Sequence, residues 1–200
     1  TVTVDNSTTI DKCVISIFNS SMSYSNPVFY FTDGIIQNCG PTCECFKEWD
    51  MEYWRNDGNW NVSVDINVTN GISNFTSQNF TYNSLSSIDV NISTITFSGI
   101  PNQTVNSTDA YPLQIKNTGN QIVNVSINGS DFQGVSDSNY VVVVSNSTYN
   151  QTETGEFEQL THVYKLVFTD IHSAVSKLLY FRAYLPIGFL QQDYQNTIEF

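Results

Sequence analysis

Between Asn61 and Asn70 the chain reads NVSVDINVTN, so that Val62, Val64, Ile66 and Val68 alternate with Asn61, Ser63, Asp65, Asn67 and Thr69. A period of two marks a strand with one face against a core, because successive side chains leave a pleated backbone on opposite sides. The polar parity holds two complete N-x-[ST] acceptors, Asn61-Val-Ser63 and Asn67-Val-Thr69. A glycan is too bulky and too polar to bury, so a strand that carries sugar must turn that face to solvent. The same register recurs twice. Val123, Val125 and Ile127 oppose the acceptors Asn124 and Asn128, and Val90 and Ile92 oppose the acceptor Asn91. Half-buried strands with sugar outward are therefore the expected unit of the fold.

The acceptor count points to a compartment. Triplets begin at Asn6, Asn19, Asn61, Asn67, Asn74, Asn79, Asn91, Asn102, Asn106, Asn124, Asn128, Asn146 and Asn150, which makes 13. A chain with this Asn, Ser and Thr content would hold about 5 by chance. The excess predicts a secreted, heavily N-glycosylated protein at the cell surface. The chain opens on Thr1 rather than Met, which fits a mature form whose leader has been removed. It shows no apolar run of the ~18 residues that a membrane-spanning helix needs, so no membrane insertion is expected. A net charge of −12, from 7 basic and 19 acidic residues, repels phosphate backbones and makes nucleic acid a poor partner.

Four cysteines, Cys13, Cys39, Cys43 and Cys45, allow three pairings. Cys43 and Cys45 are too close for an easy mutual bridge, so the expectation is Cys13 bonded to one and Cys39 to the other. A four-thiolate zinc site is the competing reading, but CGPTCEC lacks paired C-x-x-C knuckles and an exported protein meets an oxidising space.

Strand signals dominate the rest: TVTV, CVISIF, VFYF, SIDVNISTITFSG, LQIKN, QIVNVSING, YVVVVS, HVYKLVF, KLLYFRAYL and NTIEF, separated by Gly, Asn and Asp turns. KNTGNQ reads as a hairpin turn at Gly119, and the unalternating Val141–Val144 as a central strand covered on both faces. Residues 169–179, TDIHSAVSKLL, are the one candidate helix, with Thr169 or Asp170 as its cap. The fold class expected is all-β, a two-sheet antiparallel β-sandwich, jelly-roll-like, with at most one short helix. Residues 1–9 form an N-terminal strand and neck, and residues 10–200 a single sandwich domain.

Chemistry is sparse. The two histidines, His162 and His172, come without G-x-S-x-G, H-E-x-x-H, a P-loop or G-x-G-x-x-G, so no enzyme is expected. Alternation would put Glu48, Asp50 and Glu52 on one strand face. That face reads either as solvated acid or as an oxygen-ligand site for Ca²⁺. Trp49, Trp54 and Trp60 nearby allow a carbohydrate-stacking reading, and the plainer one makes them core. No resident cofactor is expected. No acceptor lies in residues 20–60 or after Asn150, and sugar-free stretches are where another protein would dock.

Three segments, WRNDGNWNVSVDINV, TFSGIPNQTVNSTDAYPLQIKNTGNQIVNVSINGSDF and YFRAYLPIGFLQQDYQNTIEF, resemble archaeal secreted β-sandwich surface glycoproteins over roughly residues 54–132 and 178–200. The closing unit of that group often has a glycine before the tyrosine, where this chain reads QQDYQ. Relatives of this architecture include archaeal thread and bundling-pilus subunits and bacterial fibre proteins of the TasA type. The resemblance implies assembly by donor-strand complementation, in which one subunit's N-terminal strand completes the next subunit's sheet. Thr1, Val2, Thr3, Val4 and Asp5 would be that strand, with Val2 and Val4 as anchors and other copies of the chain as partners. The alternative is that Thr1–Asp5 pairs within its own sheet, in a monomeric surface or adhesion domain.

Overall fold

The computed structural model describes residues 3–5, 10–19, 28–37, 42–68, 73–109, 111–188 and 194–200. The chain is all-β and its strands pair antiparallel. It divides into two compact units, Thr1–Leu85 and Ser86–Phe200. The division falls between Leu85 and Ser86, and not between residues 9 and 10 where the strand-and-neck pattern predicts a boundary.

The first unit holds β1 (Thr3–Asp5), β2 (Ile10–Asn19), β3 (Phe29–Phe31), β4 (Ile35–Gln37), β5 (Thr42–Phe46), β6 (Gly58–Val68) and β7 (Ser73–Tyr82). Two sheets form, in the orders β3-β2-β6-β7 and β1-β5-β4. The alternation read from residues 61–70 places Trp60, Val64 and Ile66 in the core with Cys13, Ile15 and Ile17 of β2 and Cys45 of β5. Cys13 and Cys45 are disulfide-bonded with their Cα atoms 6.3 Å apart, which ties one sheet to the other. Gly34 is required beside that bridge, since a Cβ there would stand 2.7 Å from Cys13 Sγ. Cys39 and the side chain of Cys43, the two remaining cysteines, lie outside the described residues.

The other face of this sheet is not uniformly wet. Ser63 and its cross-strand neighbour Ser16 are both buried, as are Val14 and Phe18, while Asp65 and Asn67 are exposed. Parity assigns each side chain a face, but whether that face meets water changes along the strand.

The second unit holds β8 (Ile88–Val90), β9 (Gln103–Asn106), β10 (Leu113–Asn117), β11 (Val123–Gly129), β12 (Phe132–Gly134), β13 (Val141–Val142), β14 (Ser147–Asn150), β15 (Glu158–Gln159), β16 (Lys165–Ile171), β17 (Ser176–Leu185), β18 (Tyr194–Gln195) and β19 (Ile198–Glu199). A six-stranded sheet runs β15-β14-β17-β10-β8, with β9 also paired to β17. Two three-stranded sheets run β16-β11-β19 and β13-β12-β18. The core contains Leu113, Ile115, Leu179 and Phe181 of the large sheet together with Val125, Ile127, Val167, Phe168 and Ile171 of β11 and β16.

Three sequence expectations are corrected here. KNTGNQ is not a hairpin turn: β10 belongs to the large sheet and β11 to another, so the segment carries the chain between sheets. Its anchor is Asn117, which is fully buried. Its Nδ2 donates to the carbonyls of Gln121 (2.7 Å) and Ile171 (2.8 Å), and its Oδ1 accepts from Gly119 N (2.8 Å). Residues 169–179 form no helix but the end of β16, a turn and the start of β17. The apolar residues Ile171, Ala174, Val175, Leu178 and Leu179 imitate a helical face, yet Leu178 is exposed and Leu179 buried, as neighbours in a strand must be. Pairing with β10 overrides the helical spacing; Asp170, near the end of β16, and Ala174, in the turn, take positive φ. Val141–Val144 is not a central strand: only Val141–Val142 pairs, at a sheet margin, and Val141 and Val143 are exposed. Val144 alone of the run is buried, at the start of a single 3₁₀ turn, where its N–H donates to Asp131 Oδ1 at 2.7 Å.

Candidate functional site

The acceptor asparagines of the second unit spread over two of its sheets rather than over one side. On the large sheet the side chains of Leu179, Phe181 and Ala183 point to the core, while Tyr180, Arg182 and Tyr184 occupy the opposite face. Asn106 pairs across to Arg182 from β9, and Asn150 pairs across to Tyr180 from β14. Asn102 accepts from Tyr184 Oη at 2.9 Å, and Asn106 accepts from Arg182 Nε at 2.9 Å. Asn91 lies in register with Gln114, whose N–H it accepts through Oδ1 at 2.9 Å. On the other sheet, Asn124 and Asn128 share the outward parity of β11. Asn146 is half-buried in the 3₁₀ turn.

In the first unit Asn67 and Asn79 are exposed and Asn61 is half-buried, while Asn19 closes β2 opposite Trp60. Asn6 and the side chain of Asn74 lie outside the described residues.

This layout alters the reading of the sugar-free stretch after Asn150. β17, which has no acceptor of its own, runs between β9 and β14, which supply Asn106 and Asn150. β16 runs beside β11, which supplies Asn124 and Asn128. A segment free of acceptors in sequence is thus interleaved with acceptor-bearing strands in space, because antiparallel pairing brings distant segments side by side. Val163, Tyr164 and Leu166, at and just before β16, are among the exposed apolar residues of that stretch, with Val175, Leu178, Tyr184 and Ile187.

Arg182 is the best-connected cation of the large sheet's outer face. Besides Asn106 it reaches Tyr111 Oη (3.3 Å) and the Glu153 carbonyl (3.1 Å), and its guanidinium stands 3.8 Å from the centre of the Phe157 ring. Nearby, Tyr149 Oη donates to Glu158 Oε2 at 3.1 Å, and Glu158 also pairs with Lys165 at 2.6 Å. Burial, reinforced by that carboxylate acceptor, pushes the Tyr149 phenol up to about 12. Glu158 is held below the usual carboxylate range, chiefly by its bond to Lys165 and then by that from Tyr149. The group is an electrostatic brace between strands.

The carbohydrate platform of three tryptophans does not form. Trp60 is 2% exposed and its Nε1 donates to the Asn56 carbonyl at 2.9 Å, so its faces are packed. Trp49 packs on Phe29 with ring centres 4.2 Å apart, and only Trp54 is substantially exposed. The acidic strand face does not form either, since residues 47–57 lie outside any strand and Glu52 is paired with Arg55. Among the described residues no cluster of three or more His, Cys, Asp or Glu is placed to hold a metal, so the calcium reading loses its ligand set.

A groove of about 390 Å³ opens on the inner side of the first unit's sheets, lined by Ile17, Phe31, Trp49, Met51, Val64 and Phe80 among others. Cys45 and Phe46 of β5 also line it. β5 is the strand with which β1 pairs, in the register Thr3↔Glu44, Val4↔Cys43 and Asp5↔Thr42. The N-terminal strand therefore sits at the margin of its sheet and is paired within its own chain, with a strand whose far end lines the groove.

Among the described residues no helix is long and apolar enough to cross a membrane. The chain matches no family model, no curated protein and no solved structure.

Proposed function

We propose that the chain is a secreted, N-glycosylated structural β-protein whose copies join into an extracellular filament by exchanging the N-terminal strand. The observation that carries the reading is the position of β1, a three-residue strand at the margin of the order β1-β5-β4. Its partner β5 contributes Cys45 and Phe46 to the apolar groove. Backbone hydrogen bonds to β5 are the same whichever copy supplies the strand, so the segment can leave its own sheet and complete a neighbour's. The Cys13–Cys45 bridge, compatible with an oxidising exterior, fastens the receiving strand to the rest of the unit. The protein acts as building material and runs no reaction; sugars on the exposed acceptors keep its surface hydrated.

The test is removal of residues 1–9, followed by negative-stain imaging under conditions in which the intact chain polymerises. The truncated protein is expected to stay unassembled, and excess peptide TVTVDNSTT is expected to arrest growth of intact filaments. Filaments formed by the truncated chain would refute the exchange mechanism. A second reading, a monomeric surface domain, is favoured by the pairing of Thr3–Asp5 with Thr42–Glu44 in the same chain. An intact protein that sediments as a monomer at every concentration tested would select it.

A further inference from the structure

Four of the acceptors form two natural pairs, and the members of each pair meet different surroundings. Asn61 and Asn79 stand directly opposite one another on β6 and β7. Asn61 Nδ2 donates to Asn79 Oδ1 at 2.6 Å, and Asn61's own Oδ1 is buried without a hydrogen-bond partner. On its other side Asn61 faces the buried Phe18 of β2. Asn79 is exposed, and the bond from Asn61 occupies its carbonyl end only.

The second pair lies on one strand. Asn124 of β11 is exposed, and its Oδ1 accepts from Asp170 N at 2.9 Å. Asn128, four residues on and of the same parity, is half-buried, with an Oδ1 that is buried and unpartnered. Glu199 is its register partner on β19, and Tyr164 lies one place beyond the Lys165–Ile127 pair on the other flank. Tyr164 Oη donates to Glu199 Oε2 at 2.7 Å, so that bond spans the row that Asn128 occupies.

We infer that the fold sorts the acceptors: Asn79 and Asn124 carry glycan, and Asn61 and Asn128 do not. The inference rests on the glycoprotein reading above. N-glycosylation breaks the C1–O bond of a lipid-linked sugar phosphate and forms a C1–Nδ2 bond. The lipid phosphate leaves, and one amide proton is released. The occupied asparagine must therefore have open space at Nδ2 once the chain is folded. At Asn79 and Asn124 the fold uses the carbonyl end of the amide, and among the described residues nothing is bonded to the nitrogen end. At Asn61 the nitrogen points at Asn79, so a sugar there would begin in space that Asn79 and its own glycan take up. At Asn128 no bond to the nitrogen stands in the way among the described residues; the obstacle is the Tyr164–Glu199 bond, which crosses the row between the register neighbours of Asn128, where a sugar would leave the sheet. All four are complete acceptors, and Asn61 and Asn124 share the same triplet, N-V-S, so their neighbours across the sheet are what separates those two.

The experiment is glycopeptide mass spectrometry on the protein secreted by its source. It is joined by intact-mass measurement of Asn61→Gln, Asn79→Gln, Asn124→Gln and Asn128→Gln. Sugar is expected on the peptides of Asn79 and Asn124. Asn79→Gln and Asn124→Gln should each lose the mass of one glycan, and the other two variants none. Sugar on Asn61 or Asn128, or its absence from Asn79 and Asn124 while other acceptors carry it, overturns the sorting. A protein with no sugar at any acceptor refutes the glycoprotein reading itself. The unsubstituted protein decides the matter even where a variant fails to fold.

Discussion

Asn117 offers the sharpest test of how the second unit holds together. Replacing it with Ala removes three hydrogen bonds at once: two from Nδ2 to the carbonyls of Gln121 and Ile171, and one accepted from Gly119 N. The Ile171 carbonyl and the Gly119 N–H are buried at these contacts, so alanine leaves them with no replacement partner. Each orphaned buried group costs about 1–3 kcal/mol, and the partly exposed Gln121 carbonyl less, because water reaches it. The sum is about 3–5 kcal/mol, a large share of the ~5–15 kcal/mol that holds a typical domain. Urea unfolding followed by circular dichroism should show that loss. Hydrogen exchange should show it locally, with amides of β10, β11 and β16 losing about a hundredfold or more in protection.

Asn117→Asp separates hydrogen bonding from shape. Its carboxylate has the same outline but points two lone-pair-bearing oxygens where a donor was, at two carbonyl oxygens. That disfavours the charged form, so the folded carboxyl binds its proton more tightly than the unfolded one. The folded state then holds more protons, and stability falls as pH rises through the interval between the two pKa values. The Asp variant should regain stability on acidification relative to the parent, whereas the Ala variant should not. A loss below about 1 kcal/mol for Asn117→Ala would refute the claim that this amide holds the passage between sheets, since that is the net worth of a single ordinary hydrogen bond.

Two further outcomes follow from the same structure. Converting Cys13 and Cys45 together to Ala opens a loop of sequence separation 32. It should cost the first unit about 3–4 kcal/mol on the chain-entropy account. Tryptophan fluorescence reads that unit alone because Trp49, Trp54 and Trp60 all lie in it. The phenol of Tyr149 is pushed from the ordinary 10.0 up to about 12 in the folded state, by burial and then by its carboxylate acceptor. Its contribution is therefore complete below pH 10 and is lost as pH rises toward 12. Tyr149→Phe should flatten that alkaline loss, and the tyrosinate difference spectrum should show one phenol ionising after the exposed ones.

How much was legible varied with how local the deciding contacts are. The alternation in residues 61–70 located β6 and put Val64 and Ile66 in the core, because strand parity is a property of the backbone itself. The all-β class followed from the density of such strands and the turn residues between them. The apolar spacing of residues 169–179 misled because a short run of apolar residues satisfies helix and strand templates alike, and only the pairing with β10 chose between them. Val141–Val144 misled for a related reason: unbroken hydrophobicity marks a doubly buried strand only if neighbours exist on both sides, and here β13 has a margin position. Asn117 and Gly119 looked like turn residues and are, but nothing near them in sequence says that the turn changes sheets.

What the sequence determined by itself is the chemistry available on each strand face: valine and isoleucine on one parity, amide and hydroxyl on the other, and 13 places where sugar can be attached. Those are consequences of residue identity and a two-residue repeat. What only the tertiary structure decided is which of those faces meets water. Asn67 is exposed while Ser63, of the same parity, is buried against β2, and Asn61 is locked to Asn79 eighteen residues away. Exposure is set by neighbours that pair across the sheet, and such neighbours are brought together by the folding of the whole chain rather than by any stretch of it.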